Sequence, residues 1–468
     1  MTARERLVLV ASTIGFSMVL LDTTVVNVAL GDIARDLHAG PTALEWVANG
    51  YTLVFAGLLL TTGLAADRVG ARSVFLAGLA TFAAGSVAAT LAPSVSALVA
   101  AQAILGVGAA LVLPTSLSLL SQVFTEPSAR ARAVGVWASG SAVAFAAGPV
   151  VGGLLIEQGS WRTVFVINLP LAALAALLVV RYVPKGRRAP SAERVPLNLA
   201  PQLAAIVALV ALTFGLVESG SRGWGSPAVV GALAAAAILA AGFVRRERAA
   251  TTPLVPRVLL ADRRFTASTA GGALLNFAFY GELFFLSLFL QQERGLTALQ
   301  TGLAFLPQPL LFMAVSPLAG RLVAARGPRV PLAAGAALAS LASIPLLGVG
   351  AHSGYPVMLA GLTLNGLGAG LAIPAVTAGV MGAAPTALAG IASAALNAGR
   401  QVGGVMGVAV LGGLATAGGR PDVTGMHAAF AVAGVALAGA ASLALALRAP
   451  APAMTTQPAL AGDWWTRP

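Results

Sequence analysis

The sequence predicts an all-α membrane protein with fourteen transmembrane helices. Of its 468 residues, 58% are hydrophobic and only 9% are charged, and the mean hydropathy is +0.88. Soluble domains carry about 25% charged residues, so this composition excludes a soluble fold. The apolar residues fall into runs of about 20, the length at which a helix crosses the hydrocarbon core of a bilayer. Basic residues concentrate in alternate connections between the runs, as they do in multi-pass membrane proteins.

The apolar runs follow one another along almost the whole chain. The predicted spans are 7–30, 44–65, 73–91, 96–120, 133–156, 162–182, 199–218, 227–244, 266–290, 299–319, 330–350, 355–378, 388–413 and 426–447. No small-residue cleavage site follows the first run within the usual distance, so we expect it to be retained as the first helix. Two connections, 181–198 and 245–265, are long and basic, which predicts that they lie in the cytoplasm.

The positions of the basic residues predict the orientation. If the N-terminus is cytoplasmic, 22 of the 28 Lys and Arg residues lie in inner segments, five lie in outer segments and one, Arg400, lies within a span. This bias predicts that both termini are cytoplasmic. The net charge of +12 is therefore a topology signal, and we expect a lipid bilayer rather than nucleic acid as the partner.

An internal repeat predicts two related halves. The Gly-x-Gly-Ala segment at 106–109, followed by Pro114, recurs at 366–369, followed by Pro374, an offset of 260 residues. The loop 63–72 has a counterpart at 320–329, an offset of 257. Two six-helix halves around a central site are typical of secondary transporters. The predicted units are a first bundle at 1–182, two inserted helices at 183–264, a second bundle at 265–448 and a cytoplasmic tail at 449–468.

Three charged residues inside predicted spans are candidates for proton coupling. Asp22 interrupts span 7–30, and Glu282 lies 260 residues later as the one acid in span 266–290. Burial favours the uncharged form of a carboxyl group, so such a group can load and release a proton when its access alternates. Arg400 cannot lose its proton and needs an acceptor within the bundle. The alternatives are structural: hydrogen bonding by Asp22, an outer-surface position for Glu282, and helix anchoring by Arg400.

The sequence does not contain the residues that several other classes of function require. The chain has no cysteine and one lysine, Lys185, so it carries neither thiolate chemistry nor the Gly-rich loop with lysine that binds ATP. Its three histidines are scattered near span ends, which predicts no metal site. We therefore expect neither an enzyme nor an ATP-driven pump, and no cofactor.

Four stretches resemble the fourteen-span drug:proton antiporters of the major facilitator superfamily. They are LDTTVVNVAL (21–30), GLAADRVGAR (63–72), AAGPVVGGLL (146–155) with WRTVFVINLP (161–170), and LNAGRQVGGVMGVAVLG (396–412). Segment 276–295 is similar to the branch that contains methylenomycin A resistance exporters. One departure is that Gln102 and Leu105 stand where the family's fourth helix usually carries an arginine, linked to proton coupling, and then a glutamine.

Further site residues are predicted within these motifs. The loop between the second and third spans is expected to form a cytoplasmic gate in which Asp67 pairs with Arg130 or Arg132; its residues are Gly63, Asp67, Arg68, Gly70 and Arg72. The fifth span is expected to act as a hinge through Gly148, Pro149, Gly152 and Gly153, the alternative being generic small-residue packing. The substrate cavity is assigned to Asn27, Gln102, Asn276, Phe279, Asn397 and Gln401.

Together these features predict export of a hydrophobic small molecule by proton antiport through alternating access. The resemblance implies a bacterial plasma membrane, and we expect a monomer that takes its energy from the proton gradient. Two alternatives stay open. An uptake symporter of the same fold would accumulate substrate with an inward proton gradient, and a non-transporting sensor would need a larger soluble domain than these short loops and tail provide.

Overall fold

The computed structural model describes residues 1–184, 199–250, 253–385, 388–416 and 421–446. Within these ranges the side chains of 60–61, 63–68, 127, 131 and 199–202 are not described. Every regular element of the described part is helical, which agrees with the predicted all-α class.

The first nine helices cover the predicted spans one to eight. They are α1 (Ala3–Asp36), α2 (Pro41–Val69), α3 (Ala71–Thr90), α4 (Val95–Val123), α5 (Pro127–Gln158), α6 (Thr163–Val166), α7 (Asn168–Tyr182), α8 (Leu199–Arg222) and α9 (Pro227–Ala249). The start of α5 is capped by the Glu126 carboxylate, which accepts from the amides of Ser128 and Ala129. Hydrogen bonds from the Ser128 hydroxyl and these two amides lower the pKa of Glu126 to about 2.

The remaining helices cover the other six predicted spans. They are α10 (Arg257–Ala261), α11 (Arg263–Gln292), α12 (Ala298–Phe305), α13 (Pro307–Arg326), α14 (Arg329–Leu341), α15 (Ser343–Leu346), α16 (Tyr355–Ala383), α17 (Ala389–Gly407), a π-helical turn (Val408–Gly412), α18 (Gly413–Ala415) and α19 (Val423–Leu445). Twelve helical segments of the described part are long and apolar enough to cross a membrane. The long helices α2 and α17 fall outside that set, so the count of fourteen spans stays a prediction.

Three predicted spans are interrupted helices, and proline explains each interruption. Proline has no N–H, so the carbonyl four residues before it loses its helical partner. α6 ends at Val166, four residues before Pro170; α12 ends at Phe305, four before Pro309; and α14 ends at Leu341, four before Pro345. Other helices continue through an internal proline, namely Pro114, Pro149, Pro317 and Pro374, so a proline alone does not predict a break.

Helix packing repeats along the chain. In the first set, α1 packs on α5 and α7, and α4 packs on α2 and α3. In the second set, α11 packs on α17 and α19, and α16 packs on α13 and α14. The inserted α8 and α9 pack on each other, and α8 lies against α2. This is the arrangement that the internal repeat predicts.

The two sets meet where α1 crosses α11, α5 crosses α12 and α2 crosses α17. Ser287 donates to the Asn27 carbonyl at 2.8 Å, and Gln291 donates to the Val28 carbonyl at 3.0 Å while its side chain lies against Gly31. Ser287 and Gln291 lie 260 residues after Asn27 and Gly31. Equivalent positions of the repeat thus face each other, as they would across a twofold axis. We call the end of the bundle where α1 ends and α2 begins the outer end, after the orientation that the charges predict.

Candidate functional site

Asp22 lies in the interior of the first helix set. Its side chain is only 2% exposed, and its Oδ1 accepts from the Asn168 amide of α7 at 2.8 Å. The same amide donates to the Ser86 hydroxyl of α3 at 3.2 Å, which uses both of its hydrogens. Asp22 Oδ2 has no hydrogen-bond partner. Asp22 is thus held in place by one amide, and no cation among the described residues neutralises it.

Glu282 has a matching environment in the second set. It is 6% exposed, and its Oε2 accepts from the Asn365 amide of α16 at 2.6 Å, while Oε1 has no partner. Each candidate carboxyl group is therefore enclosed within its own helix set beside one asparagine.

The three charges predicted for proton coupling do not pair with one another. The ion pairs of the described residues include neither carboxyl group, and Arg400 takes part in no ion pair either. The structure turns each of Asp22 and Glu282 toward an asparagine of its own set. The reason is that a buried carboxyl group needs a hydrogen-bond donor, and these amides supply one.

Aromatic side chains and Arg400 form the contact between the sets at mid-depth. The rings of Phe145 on α5 and Phe279 on α11 lie 5.5 Å apart, and Tyr280 packs edge-on against Phe279 at 5.2 Å. Tyr280 lies close to Thr23 of α1 and within electrostatic range of Arg400, whose aliphatic stem packs beside Gly272. This surface offers apolar area together with the N–H donors of Arg400.

A second tyrosine lies near both Asp22 and Tyr280. Tyr51 of α2 is 3% exposed, its hydroxyl donates to the Val19 carbonyl at 3.4 Å, and it lies within electrostatic range of both Asp22 and Tyr280. Four polar groups of the two sets are thus within electrostatic range of one another in sequence: Asp22, Tyr51, Tyr280 and Arg400.

The residues predicted for the substrate cavity are not all in one place. Asn397 and Gln401 lie half-buried on α17 beside Arg400, and Phe279 lies in the mid-depth contact. Asn27 and Asn276 are buried, and Asn27 donates to the Thr23 carbonyl of its own helix at 3.0 Å. Gln102 is 1% exposed inside the first set against Gly50, with its Oε1 unpartnered.

The glycines of the predicted hinge allow neighbouring helices to approach α5 closely on two faces. A Cβ at Gly152 would lie 3.1 Å from Val25 of α1, and one at Gly153 would lie 2.8 Å from the Leu299 amide nitrogen of α12. The carbonyl that Pro149 deprives of its helical partner belongs to Phe145, and the Thr24 hydroxyl of α1 lies 3.2 Å from it. Because that carbonyl is satisfied, α5 continues through Pro149 without a break.

Gly407→Ala is expected to destabilise the second set by about 1–3 kcal/mol, the usual cost of overpacking. The added Cβ would lie 2.7 Å from the carbonyl carbon of Phe277 in α11. Gly413→Ala is the matched control, because no atom lies within 4 Å of its Cβ position. Thermal unfolding in detergent measures both variants. Equal midpoints for the two would contradict the close approach of α17 to α11.

Comparisons with known proteins agree with this architecture. The Major Facilitator Superfamily model matches residues 12–408. The chain belongs to this superfamily. It is 37% identical to the multidrug resistance protein Stp of Mycobacterium tuberculosis over 417 residues, 89% of this chain and 77% of Stp. It is 37% identical to the methylenomycin A resistance protein of Streptomyces coelicolor over 398 residues, 85% of this chain and 83% of that protein.

A solved structure supports the same fold. A bacterial homolog of the human lysosomal transporter Spinster, in an inward-facing and unoccupied conformation, superposes with a TM-score of 0.68 at 17% identity and covers 95% of this chain and 97% of its own. The chain is thus a multi-pass membrane protein of a transporter superfamily, and it is a transporter rather than an enzyme.

The signature loop of this superfamily member is described in part. The side chains of Gly63, Asp67 and Arg68 lie outside the described residues. Gly70 joins α2 to α3 with φ +100°, as the predicted tight turn requires, and Arg72 donates to the Val180 carbonyl near the end of α7 at 3.1 Å. In the second set, Arg329 donates to the Leu445 carbonyl near the end of α19 at 2.7 Å. These arginines tie helix ends together within each set, and the gating latch of Asp67 stays a proposal.

Sequence reasoning missed four residues of the site. Asn168 and Asn365 hold the two carboxyl groups, Tyr280 joins the sets, and Glu45 is a third buried carboxyl group. The signal for the asparagines was an amide within an apolar span of each half. Glu45 was overlooked because it lies at the very start of its predicted span, where an acid is usually exposed.

A separate cavity of about 810 Å³ opens at the outer end of the second set. It is lined by residues of α11, α12 and α16 and the loops before them, among them Glu293, His352 and Tyr355. Arg294 at its edge donates to the Ser353 carbonyl at 2.9 Å, and burial lowers the pKa of this arginine. No residue predicted for coupling or substrate binding lines this cavity.

Proposed function

We propose that this protein exports a hydrophobic antibiotic or toxic metabolite from a bacterial cell in exchange for protons, by alternating access. The observation that carries the proposal is the enclosure of Asp22. Its carboxyl group has one amide donor and one unpartnered oxygen, and it forms no ion pair with the part of the chain that the structure describes. A charge in such a place costs several kcal/mol, so Asp22 must be protonated while the site is closed and must meet water to lose its proton. The relatives named for multidrug and methylenomycin A resistance support export of a drug.

Three successive residues of α1 supply the coupling in this proposal. Asp22 faces Asn168 in the first set, Thr23 lies close to Tyr280 in the second set, and Thr24 donates to the Phe145 carbonyl of α5. Any shift of α1 that hydrates Asp22 therefore changes its contacts with α5 and α11 at the same depth. Proton and substrate need such a shared element, because a ligand shifts a conformational equilibrium only through its different affinities for the two states.

The proposed cycle follows from these contacts. A proton that reaches Asp22 from outside favours the conformation in which the outer end is closed. Its release to the cytoplasm prepares the surface around Phe145, Phe279 and Arg400 for a new substrate, which contributes apolar contact and oxygen acceptors. We propose that Glu282 is a second proton site, that both termini are cytoplasmic and that the monomer is the working unit.

Drug-driven proton movement tests the function. The purified protein is reconstituted into liposomes that contain a pH-sensitive dye, and methylenomycin A is added outside without a pH gradient. Antiport moves protons out as drug moves in, so the lumen becomes alkaline relative to protein-free liposomes. An acidified lumen would indicate the uptake symporter instead, and an unchanged lumen would indicate a non-transporting protein.

A further inference from the structure

A buried carboxyl group at the outer end has no role in the cycle above. Glu45 lies in the first turns of α2 and is only 2% exposed. It sits where α2 meets the π-helical turn of the second set, and a Cβ on Gly412 would lie 3.3 Å from its Oε1. Its Oε2 has no hydrogen-bond partner. Glu45 therefore belongs to the seam between the two helix sets.

The groups around Glu45 favour a bound proton. Thr416 lies close to the Glu45 carboxyl group, and its hydroxyl donates its single hydrogen to the Gly412 carbonyl at 2.9 Å. While that hydrogen is directed to Gly412, Thr416 offers Glu45 an acceptor, to which a protonated carboxyl group can donate. A protonated Glu45 would thus be connected through Thr416 to the backbone of the π-helical turn. Such turns occur frequently at functional sites.

The ionisable groups facing Glu45 oppose a negative charge on it. Glu218 of the inserted helix α8 lies within electrostatic range, and its own charge is held by Arg222 at 2.7 Å and by the Trp46 indole at 3.3 Å. The contacts from the π-helical turn and α18 side, Gly412 and Thr416, are uncharged. An ionised Glu45 would lose its donor role toward Thr416 and lie beside a second carboxylate with no cation of its own.

We propose that Glu45 is a proton-binding site of the outer seam: with its proton it bonds α2 to the π-helical turn and closes the outer end, and without it the seam opens to water. External protons thereby promote closure toward the outside, and the inserted helix α8, through Glu218, sets how strongly they do so. The link to export rests on the proposed function, whereas the proton-controlled seam does not.

Spin-label distances test this proposal without transport. The chain contains no cysteine, so Leu91→Cys and Ala351→Cys place labels in outer loops of the two sets. The pKa values of buried carboxyl groups fall within about pH 5 to pH 9. As the pH rises through this range, we expect the population with a longer distance between the two labels to grow. A single linked proton changes the open-to-closed ratio by up to about tenfold per pH unit.

Glu45→Gln keeps the size and supplies an N–H donor, so it is expected to stay closed and lose the pH-dependent shift. Thr416→Val removes the acceptor and is expected to open at lower pH than the parent. Asp36→Asn alters an exposed carboxylate at the same end that pairs only within the first set, and it is expected to keep the parent response. Three outcomes would overturn the proposal. The pH-dependent shift in label distance could persist in Glu45→Gln, it could be absent from the parent protein, or it could be lost only in Asp22→Asn. Failure of drug export with the response intact would instead count against the proposed function.

Discussion

Cross-linking the outer ends of α5 and α12 is expected to stop transport, and reduction of the cross-link is expected to restore it. Glu157 at the end of α5 and Thr297 before α12 are joined by a hydrogen bond of 2.7 Å. Alternating access requires these ends to separate, since Gly153 and Leu299 hold the two helices in close contact just below. Glu157→Cys with Thr297→Cys, joined by a short reducible thiol cross-linker, should reduce methylenomycin A flux in liposomes to the protein-free rate.

The control for the cross-link lies within one helix set. Asp36 and Arg162 form an ion pair of 2.6 Å at the same end, and both belong to the first set. Asp36→Cys with Arg162→Cys should be cross-linked with little change in flux, because these helices move together. Full flux through a protein whose α5–α12 link is shown to be complete would exclude outer opening between these helices.

Asp22→Asn is expected to remove uphill export. A gradient of one pH unit supplies about 1.4 kcal/mol per proton, which sustains a drug gradient of about tenfold if one proton is exchanged per drug molecule. Asparagine mimics the protonated Asp22, which in the proposed cycle keeps the outer end closed, so the drug gradient should fall to none whether or not Glu282 carries a second proton. Drug accumulation is measured in liposomes with an imposed pH gradient.

Two further variants are needed to interpret the effect of Asp22→Asn on the drug gradient. Asp32→Asn changes another acid of α1, one paired with Arg35, and should leave the drug gradient intact. Glu282→Gln tests how many protons are exchanged per drug molecule. If Glu282 carries a second proton, the parent should reach a drug gradient of about a hundredfold per pH unit and this variant about tenfold. An Asp22→Asn protein that builds the same drug gradient as its parent would show that coupling lies elsewhere.

The sequence was sufficient for the parts of the fold that depend on local pattern. Hydropathy predicted the helices, and the 260-residue repeat predicted two related halves. In the structure, residues that this offset makes equivalent lie in contact across the halves, Asn27 with Ser287 and Gly31 with Gln291. Charges within apolar spans singled out Asp22 and Glu282, because a bilayer makes such residues costly.

The parts that sequence reasoning missed depend on distant contacts. Asn168 reaches Asp22 from 146 residues away, and Asn365 reaches Glu282 from 83 residues away. The sequence does not show which distant residue a polar side chain within a span will contact. The orientation of each carboxyl group is therefore known only from the structure. The same holds for Glu45, whose burial is created by the π-helical turn and by α8.

The most direct test of proton-driven export is the direction in which a pH gradient moves the drug. Liposomes containing the protein are loaded with equal methylenomycin A on both sides, a pH gradient is imposed, and drug is followed with protein-free and Asp22→Asn liposomes as references. Proton antiport predicts accumulation above both references in the acidic compartment, and a reversed accumulation when the gradient is reversed. Accumulation in the alkaline compartment, or the same distribution as in the references, would contradict it.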